Sequence, residues 1–321
     1  MTENNHLGQV FIRAQAHARK RMIVVPGSSN GPLAYRVARA TGSRVAKVEY
    51  RRFPDGEKYV RLLDDVKGED VVFLQSAVFS PDEYLVETLL AVDSMKEDAK
   101  SVTVVLSYFP YARQDERFKP GEAVSLVTVS KLIRSVGTDH LLTVDVHRHR
   151  VLDMRSLVGI PYVDASAMPS LARYAVDTGL VDKGNMAVIG PDAEAEQWAA
   201  LAARELGVDH ASLVKNRLGD REVKVKVTRD VDVRGKDVLL VDDIISTGGT
   251  IREAAKLLSE LGARKIVVGA THALLVENAL VKILEDGVEE VFSSDTVPNP
   301  TTRVSAAPAI ADGLRSLGLI G

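Results

Sequence analysis

Short apolar runs that alternate with amphipathic helical patterns constrain this chain more than any other feature. Runs at 22–25, 71–74, 102–106, 141–145, 186–189, 211–214, 238–241 and 265–270 have the length and β-branched content of buried strands. Two more strands are expected at 45–48 and near Val291. Helical patterns lie between them, at 32–42, 83–96, 125–135, 169–178, 196–207, 251–261 and 276–286. In the second of these, Leu85, Leu89, Val92 and Met95 fall on one face. Strands that alternate with helices build parallel sheets covered on both sides, so the fold class is α/β and doubly wound. The rhythm restarts near residue 166, and 321 residues suit two domains. The expected division is a polar arm over 1–20, one domain over 21–165 and a second over 166–321.

Within that rhythm, residues 237–250 carry the strongest chemical signal. The buried run 238–241 is followed by two carboxylates, Asp242 and Asp243, expected where the strand ends. Ser246, Thr247, Gly248, Gly249 and Thr250 then form a small, hydroxyl-rich turn. Thr250 and Glu253 have capping-box spacing, which predicts a helix starting here, and Gly262 offers its stop. Small residues at a helix N-terminus expose backbone N–H groups, and the helix dipole favours a phosphate there. Carboxylates beside it accept hydrogen bonds from sugar hydroxyls. A phosphate at one end and a diol at the other describe a ribose phosphate. Pro26-Gly-Ser-Ser-Asn30, followed by Pro32, repeats the strand, turn and helix layout in the first half.

Ligands of such sheets bind beyond the strands' carboxyl ends, so the charged loops after strands are expected to line one cleft. Those loops are 51–57 around Asp55-Gly56, the aromatic and charged stretch 107–117, 146–150, 190–196 and the basic loop 215–221. The alternation in 222–227 predicts an exposed hairpin strand. Composition narrows the chemistry. The chain contains no cysteine, which excludes disulfides, thiolate metal sites and a cysteine nucleophile and fits a reducing cytoplasm. The remaining oxygen and imidazole groups suit Mg²⁺ acting on phosphates. His147 and His149 lack the further ligands that a zinc site needs. A net charge of −3 speaks against nucleic-acid binding driven by bulk charge. No apolar run reaches membrane-spanning length, no secretory pattern opens the sequence, and no P-loop motif occurs.

Taken in order, Phe53-Pro-Asp-Gly-Glu57, Tyr111-Ala-Arg-Gln-Asp115, Asp145-Val-His147, Pro191-Asp192, Lys215-Asn-Arg217 and Asp242-Asp243 through Thr250 resemble the ribose-phosphate pyrophosphokinase family, in its archaeal form. The resemblance covers nearly everything after the arm. It implies two domains of the type I phosphoribosyltransferase fold. It also implies transfer of the β,γ-diphosphoryl group of ATP to O1 of ribose 5-phosphate, with Mg²⁺ as cofactor. By that resemblance, residues 246–250 hold the sugar phosphate, Asp242 and Asp243 meet the ribose hydroxyls, and Lys215 and Arg217 are catalytic residues of a mobile flap, Arg217 also meeting the sugar phosphate. Phe53 would stack on adenine, and Asp55, Gly56, Glu57, Arg113, Gln114 and Asp115 would complete an ATP site placed partly across a subunit interface. His147 and Asp192 match the metal positions, and a homo-oligomer is implied.

Two positions depart from the family pattern. Glu194 stands where a glycine is usual, bringing a Cβ and a negative charge to a place where backbone should approach a diphosphate. Arg150 stands where a glutamine is common. Two other activities fit parts of the chain. A phosphoribosyltransferase consuming the diphosphate accounts for 242–250 but leaves the motifs at 53–57 and 113–114 unexplained. A non-catalytic regulatory relative draws on Glu194, against the retained Lys215, Arg217, His147 and Asp192.

Overall fold

A computed structural model describes residues 22–147, 153–217, 223–228 and 231–320, with backbone alone for 215–217 and 223–227. The expected arm at 1–20, His149, Arg150 and Gly219 lie outside the described residues. The first sheet contains β1 (Met22–Pro26), β2 (Arg44–Val45), β5 (Asp70–Ser76), β6 (Ser101–Tyr108), β7 (His140–Val144) and β8 (Tyr162–Ala165). Its order is β2-β1-β5-β6-β7-β8, with parallel pairing throughout. Between β2 and β5, β3 (Val48–Arg52) and β4 (Lys58–Leu62) form a separate antiparallel hairpin. Helices α1 (Gly31–Thr41), α2 (Pro81–Lys96), α3 (Ser125–Ser135) and α4 (Met154–Val158) complete this half. All seven residues of β5 are buried, as expected of a central parallel strand covered on both faces.

The second sheet contains β9 (Met186–Gly190), β10 (His210–Arg217), β11 (Val223–Val227), β12 (Asp237–Ile245), β13 (Lys265–Ala273), β14 (Glu290–Ser294) and β15 (Thr302–Val304). Its order is β11-β10-β9-β12-β13-β14-β15, parallel except for the β10–β11 pair. Helices α5 (Met168–Asp177), α6 (Glu196–Leu206), α7 (Gly249–Glu260), α8 (Ala279–Glu285) and α9 (Ala307–Ser316) cover it or leave it. The doubly wound, mostly parallel architecture is thus present in both halves.

The halves share one apolar core. A single buried cluster runs from Met22 and Leu142 of the first sheet to Leu239 and Phe292 of the second. The last helix, α9, crosses back to pack on α1, β7 and β8. Polar contacts close the same seam: Asn30 Nδ2 donates to Asp295 O at 2.7 Å, and Ser76 Oγ to Thr296 O at 2.7 Å. Asp295 is itself buried and held by Arg36 at 2.7 Å, Ser305 Oγ at 2.9 Å and Ala306 N at 2.7 Å.

Several local expectations differ from the structure. Residues 45–48 are not one strand: β2 ends at Val45, and Val48 turns away to pair with Leu62 in the hairpin. Residues 51–57 are accordingly not a loop, since Arg51 and Arg52 belong to β3 and only 53–57 turn. Lys215 and Arg217 lie on β10 rather than in a basic loop, paired with Val225 and Val223. Asp242 and Asp243 sit inside β12, because its ladder with β13 continues to Ile245 and Ala273. Helix α8 begins later than 276, because Leu275, Glu277 and Asn278 are left-handed, with φ of 51°, 56° and 60°. The capping-box reading of Thr250 also fails. Gly248 is the N-cap, with φ 77°, no side chain caps the helix, and Thr250 is already its second residue. A Cβ on Gly248 would approach Ile283 Cδ1 to 2.9 Å, so close packing as well as φ demands glycine.

The contact between α9 and the first sheet is equally tight. A Cβ at Gly313 would fall 2.5 Å from Leu142 Cδ1 and 3.4 Å from Val163 Cγ1. Gly313→Val is therefore expected to destabilise the protein by about 1–3 kcal/mol through overpacking. Urea unfolding measures this, and an unchanged midpoint would show that α9 does not hold the halves together.

Candidate active site

The second half presents an open anion cradle. Helix α7 starts without a side-chain cap, and Thr247, Gly249 and Thr250 are exposed around its N-terminus. Its unsatisfied first-turn N–H groups and positive dipole end suit a phosphate. Just before it on β12, Asp242 is half-buried and Asp243 is buried. Burial raises both carboxyls above their ordinary range, and at Asp242 the neighbouring Asp243 and Asp192 add to that.

Opposite these carboxylates stands the end of β7, which belongs to the other half. Asp145 is buried and has φ 40°, a conformation that costs about 1–3 kcal/mol outside glycine. Four contacts impose it. Asp145 N donates to Ala165 O at 2.8 Å, and Asp145 Oδ2 accepts from Ala167 N at 2.9 Å and Thr271 Oγ1 at 2.6 Å. The fourth is His272, whose Nε2 lies 2.9 Å from Val144 O and 3.3 Å from Asp145 O. Carbonyls can only accept, so Nε2 carries the proton; Nδ1 lies 2.8 Å from Thr296 Oγ1, whose hydroxyl also reaches Thr271 O at 2.7 Å. Burial of the ring pushes its pKa down to about 4, so it is neutral at pH 7.

The turn at Asp145 delivers His147, whose Nδ1 is 2.8 Å from Asp243 Oδ2. Burial lowers the pKa of His147, with Arg113 acting in the same direction and Glu194, Asp115 and Asp192 opposing it. A neutral imidazole whose Nδ1–H is oriented by a carboxylate keeps Nε2 as a lone-pair donor. Asp192 is fixed differently. Its Oδ1 accepts from Glu194 N at 3.0 Å and Ala195 N at 3.1 Å, forming the turn that leads into α6. Among the described residues, no group of three His, Asp or Glu side chains forms a metal cage. Asp192 offers the carboxylate that a hard ion such as Mg²⁺ accepts, whereas the imidazole of His147 is an uncommon ligand for so hard an ion.

Two clefts adjoin this centre. One, of about 250 Å³, is lined by Tyr108, Phe109, Tyr111, Arg113, Gln114 and His147, with Ala112, Ser125 and Ile244. The other, of about 430 Å³, is bounded by 191–194, Leu213, Val214, Thr250, Glu253, Ala254 and Leu257. The structure thus brings Arg113, Gln114 and His147 together, and separately Asp192, Glu194 and Thr250. Asp115 lies buried beneath the first cleft's loop. Lys215 and Arg217 follow directly on the β10 residues that wall the second cleft.

Phe53, Asp55, Gly56 and Glu57 line neither cleft, because they form the tip of a hairpin that leaves the sheet. There Gly56 has φ 98°, and Phe53 meets Tyr59 edge-on at 5.9 Å. Thr271, His272 and Ser125 escaped sequence reasoning. The first two lie in a β13 run expected to stop at 270, and Ser125 was read only as a helix start.

These features define a phosphoribosyltransferase-fold protein: two mostly parallel α/β sheets with an exposed, uncapped helix N-terminus, paired carboxylates and an adjoining aromatic–basic cleft. Comparison with known proteins agrees. Residues 22–137 match the N-terminal domain of ribose phosphate pyrophosphokinase, and residues 168–294 match the phosphoribosyl transferase domain. Ribose-phosphate pyrophosphokinase 1 of Archaeoglobus fulgidus is 37% identical, over 91% of this chain and 100% of its own. The Methanopyrus kandleri ribose-phosphate pyrophosphokinase is 38% identical, over 92% and 99%. The crystal structure of a phosphoribosylpyrophosphate synthetase from Mycobacterium smegmatis superposes with a TM-score of 0.80 at 31% identity, over 93% of this chain and 99% of that one. The chain belongs to the ribose-phosphate pyrophosphokinase family.

The buried neutral His272 makes stability depend on pH. The unfolded chain binds a proton on this imidazole below its ordinary value of 6.5, the folded chain only below about 4. Unfolding therefore takes up a proton in that window, and stability falls as pH drops through it. Between about pH 7.5 and pH 5 the loss from this group is about 2 kcal/mol. His272→Gln, which can still donate to Val144 O, is expected to remove that component. The raised carboxyls act with opposite sign but equally in both proteins, so the difference between their urea-unfolding profiles isolates His272. Parallel profiles would contradict a neutral buried ring.

Proposed function

We propose that this protein transfers the diphosphoryl group of ATP to O1 of ribose 5-phosphate, giving 5-phosphoribosyl 1-diphosphate and AMP for nucleotide biosynthesis. The observation that carries this reading is the uncapped start of α7 beside Asp242 and Asp243, facing a cleft that holds Arg113 and His147. Residues 246–250 would bind the 5-phosphate through backbone N–H groups, and Asp242 and Asp243 would orient the ribose hydroxyls. ATP would lie against Arg113 and Gln114, with Asp115 beneath. The O1 oxygen attacks the β-phosphorus, the bond from that phosphorus to the α-phosphate oxygen breaks, AMP leaves, and the hydroxyl proton passes to water.

Such a transfer needs alignment and charge neutralisation far more than covalent help. Lys215 supplies a point charge and Arg217 a planar fork for the migrating phosphates. Mg²⁺, held by His147 and Asp192, supplies further neutralisation of the phosphates when bound. Phe53, Asp55, Gly56 and Glu57 would reach the nucleotide from a second copy of the chain. In this reading the enzyme is a homo-oligomer. No helix among the described residues is long and apolar enough to cross a membrane, and we place the enzyme in the cytoplasm, where its substrates are.

Incubation with ATP, ribose 5-phosphate and Mg²⁺, followed by ³¹P NMR, tests the reaction. AMP and phosphoribosyl diphosphate are expected in equal amounts. ADP would indicate single phosphoryl transfer, and no turnover would favour a regulatory relative. Lys215→Ala should lower kcat by about 10²–10³-fold while ribose 5-phosphate still binds. Unchanged turnover would remove Lys215 from the catalytic role.

A further inference from the structure

The first half contains the counterpart of the phosphate cradle, and it is already full. Residues 27–30 join β1 to α1 as 246–248 join β12 to α7. In the second half the cradle is exposed. In the first, the carboxylate of Glu87, a fully buried residue of α2, occupies the equivalent place. Ser28 N donates to Glu87 Oε1 at 3.0 Å, Ser28 Oγ to Oε2 at 2.7 Å, and Gln75 Nε2 to Oε1 at 2.7 Å. Ser29 N in turn donates to Gln75 Oε1 at 3.1 Å, and Asn30 caps α1. The turn has closed onto these groups. A Cβ on Gly27 would fall 2.6 Å from Gln75 Oε1 and 2.8 Å from Leu74 O.

One further donor reaches that carboxylate from outside the cradle. Lys58 Nζ lies 3.0 Å from Glu87 Oε2, with its side chain only 13% exposed. Lys58 opens β4 directly after Glu57 and is paired across the hairpin with Arg52. Among the described residues the hairpin has no strand neighbour outside itself, and an isolated two-stranded hairpin is marginally stable. Its aim therefore depends on side-chain anchors. Far from the tip, Val48 and Leu62 pack against the apolar core, and Val60 does so midway along the hairpin. The polar anchors are Tyr50 Oη, opposite Val60, donating to Pro26 O at 2.7 Å, and nearer the tip Lys58 on Glu87 and, at 3.7 Å, on Glu83, with Arg52 also paired to Glu83. Beyond them, the Arg51 guanidinium lies over the rings of Phe53 and Tyr59, 4.7 Å and 3.8 Å from their centroids.

We propose that Glu87 is a positioning residue for nucleotide binding: as a built-in anion in the first half's cradle, it fixes Lys58 and so aims the hairpin tip 53–57. The duplicated loop has exchanged an external phosphate for an internal carboxylate and become the mount of the nucleotide loop. This rests on the reading that the tip contacts ATP. Because Glu87 touches neither substrate, its effect is confined to the affinity for ATP.

Steady-state kinetics of Glu87→Gln test this. Glutamine keeps a carbonyl oxygen for Ser28 N and Gln75 Nε2 but presents an NH₂ group to Lys58, so the cradle is retained and the anchor is lost. The KM for ATP is expected to rise about tenfold, the scale of one charge-assisted hydrogen bond, with kcat and the KM for ribose 5-phosphate within about twofold. Lys58→Met should give the same split, and the double variant should be no worse than either single one. Lys58→Met also serves if Glu87→Gln fails to fold, because Glu87 then keeps three donors. Phe53→Ala is the control for the underlying reading. An unchanged KM for ATP in Glu87→Gln and Lys58→Met, beside a raised one in Phe53→Ala, overturns the anchor alone. Equal losses in all constants overturn it too, since they mark a purely structural residue. An unchanged KM for ATP in Phe53→Ala removes the tip from the nucleotide site, and the anchor falls with it.

Discussion

The clasp of the second half on the end of β7 is the contact on which the site depends. Thr271 holds the carboxylate of Asp145, and His272 holds the carbonyls of Val144 and Asp145. These bonds are two of the four that sustain the left-handed backbone at Asp145 and so direct His147 at Asp243. The site is consequently a property of the seam. β7 supplies the imidazole, β12 the carboxylates and β13 the two side chains that bring them into register. The apolar cluster shared by both sheets and the returning α9 make that seam part of the core. Domain motion of the hinge type would have to break a buried polar network, where each unmade hydrogen bond costs about 1–3 kcal/mol.

The two halves share a layout and differ in how their strand-to-helix turns are satisfied. Both halves have a parallel sheet, and both have a small-residue turn leading into a helix. Physical chemistry allows such a turn either to bind an anion from solution or to be satisfied internally. The second half leaves α7 uncapped beside two carboxylates whose protonation burial favours, an arrangement poised for a ligand rich in phosphate and hydroxyl groups. The first half satisfies its turn with Glu87 and Gln75, trading a ligand site for rigidity.

Much of this was legible in the sequence, because the fold depends on local periodicity. Strand runs such as 22–25 and 71–74 and helices such as 125–135 fell close to their observed places. The turn after β12 was legible as a turn because small residues follow a buried strand. The misreadings arose where long-range pairing overrides local pattern. Asp242 and Asp243 look like strand terminators, yet the ladder with β13 carries the backbone past them. Thr250 looks like a cap, yet Gly248 in the left-handed region begins the helix. Lys58 and Glu87 carry no local signal, since their meaning lies in a contact between residues 29 positions apart. Thr271 and His272 are similar, because their partners lie 126 and 128 residues away.

The protonation state of one ring carries the central claim. If the seam is pinned as described, His272 is neutral, protonated on Nε2, and held by two carbonyls and the Thr296 hydroxyl. Nitrogen-15 NMR of the imidazole reads this directly across the neutral pH range. The expected result is a single Nε2–H tautomer that does not titrate between about pH 5 and pH 8. Titration near the ordinary histidine value, or a proton on Nδ1, would mean that His272 does not clasp β7 and that the site is organised by something other than the seam.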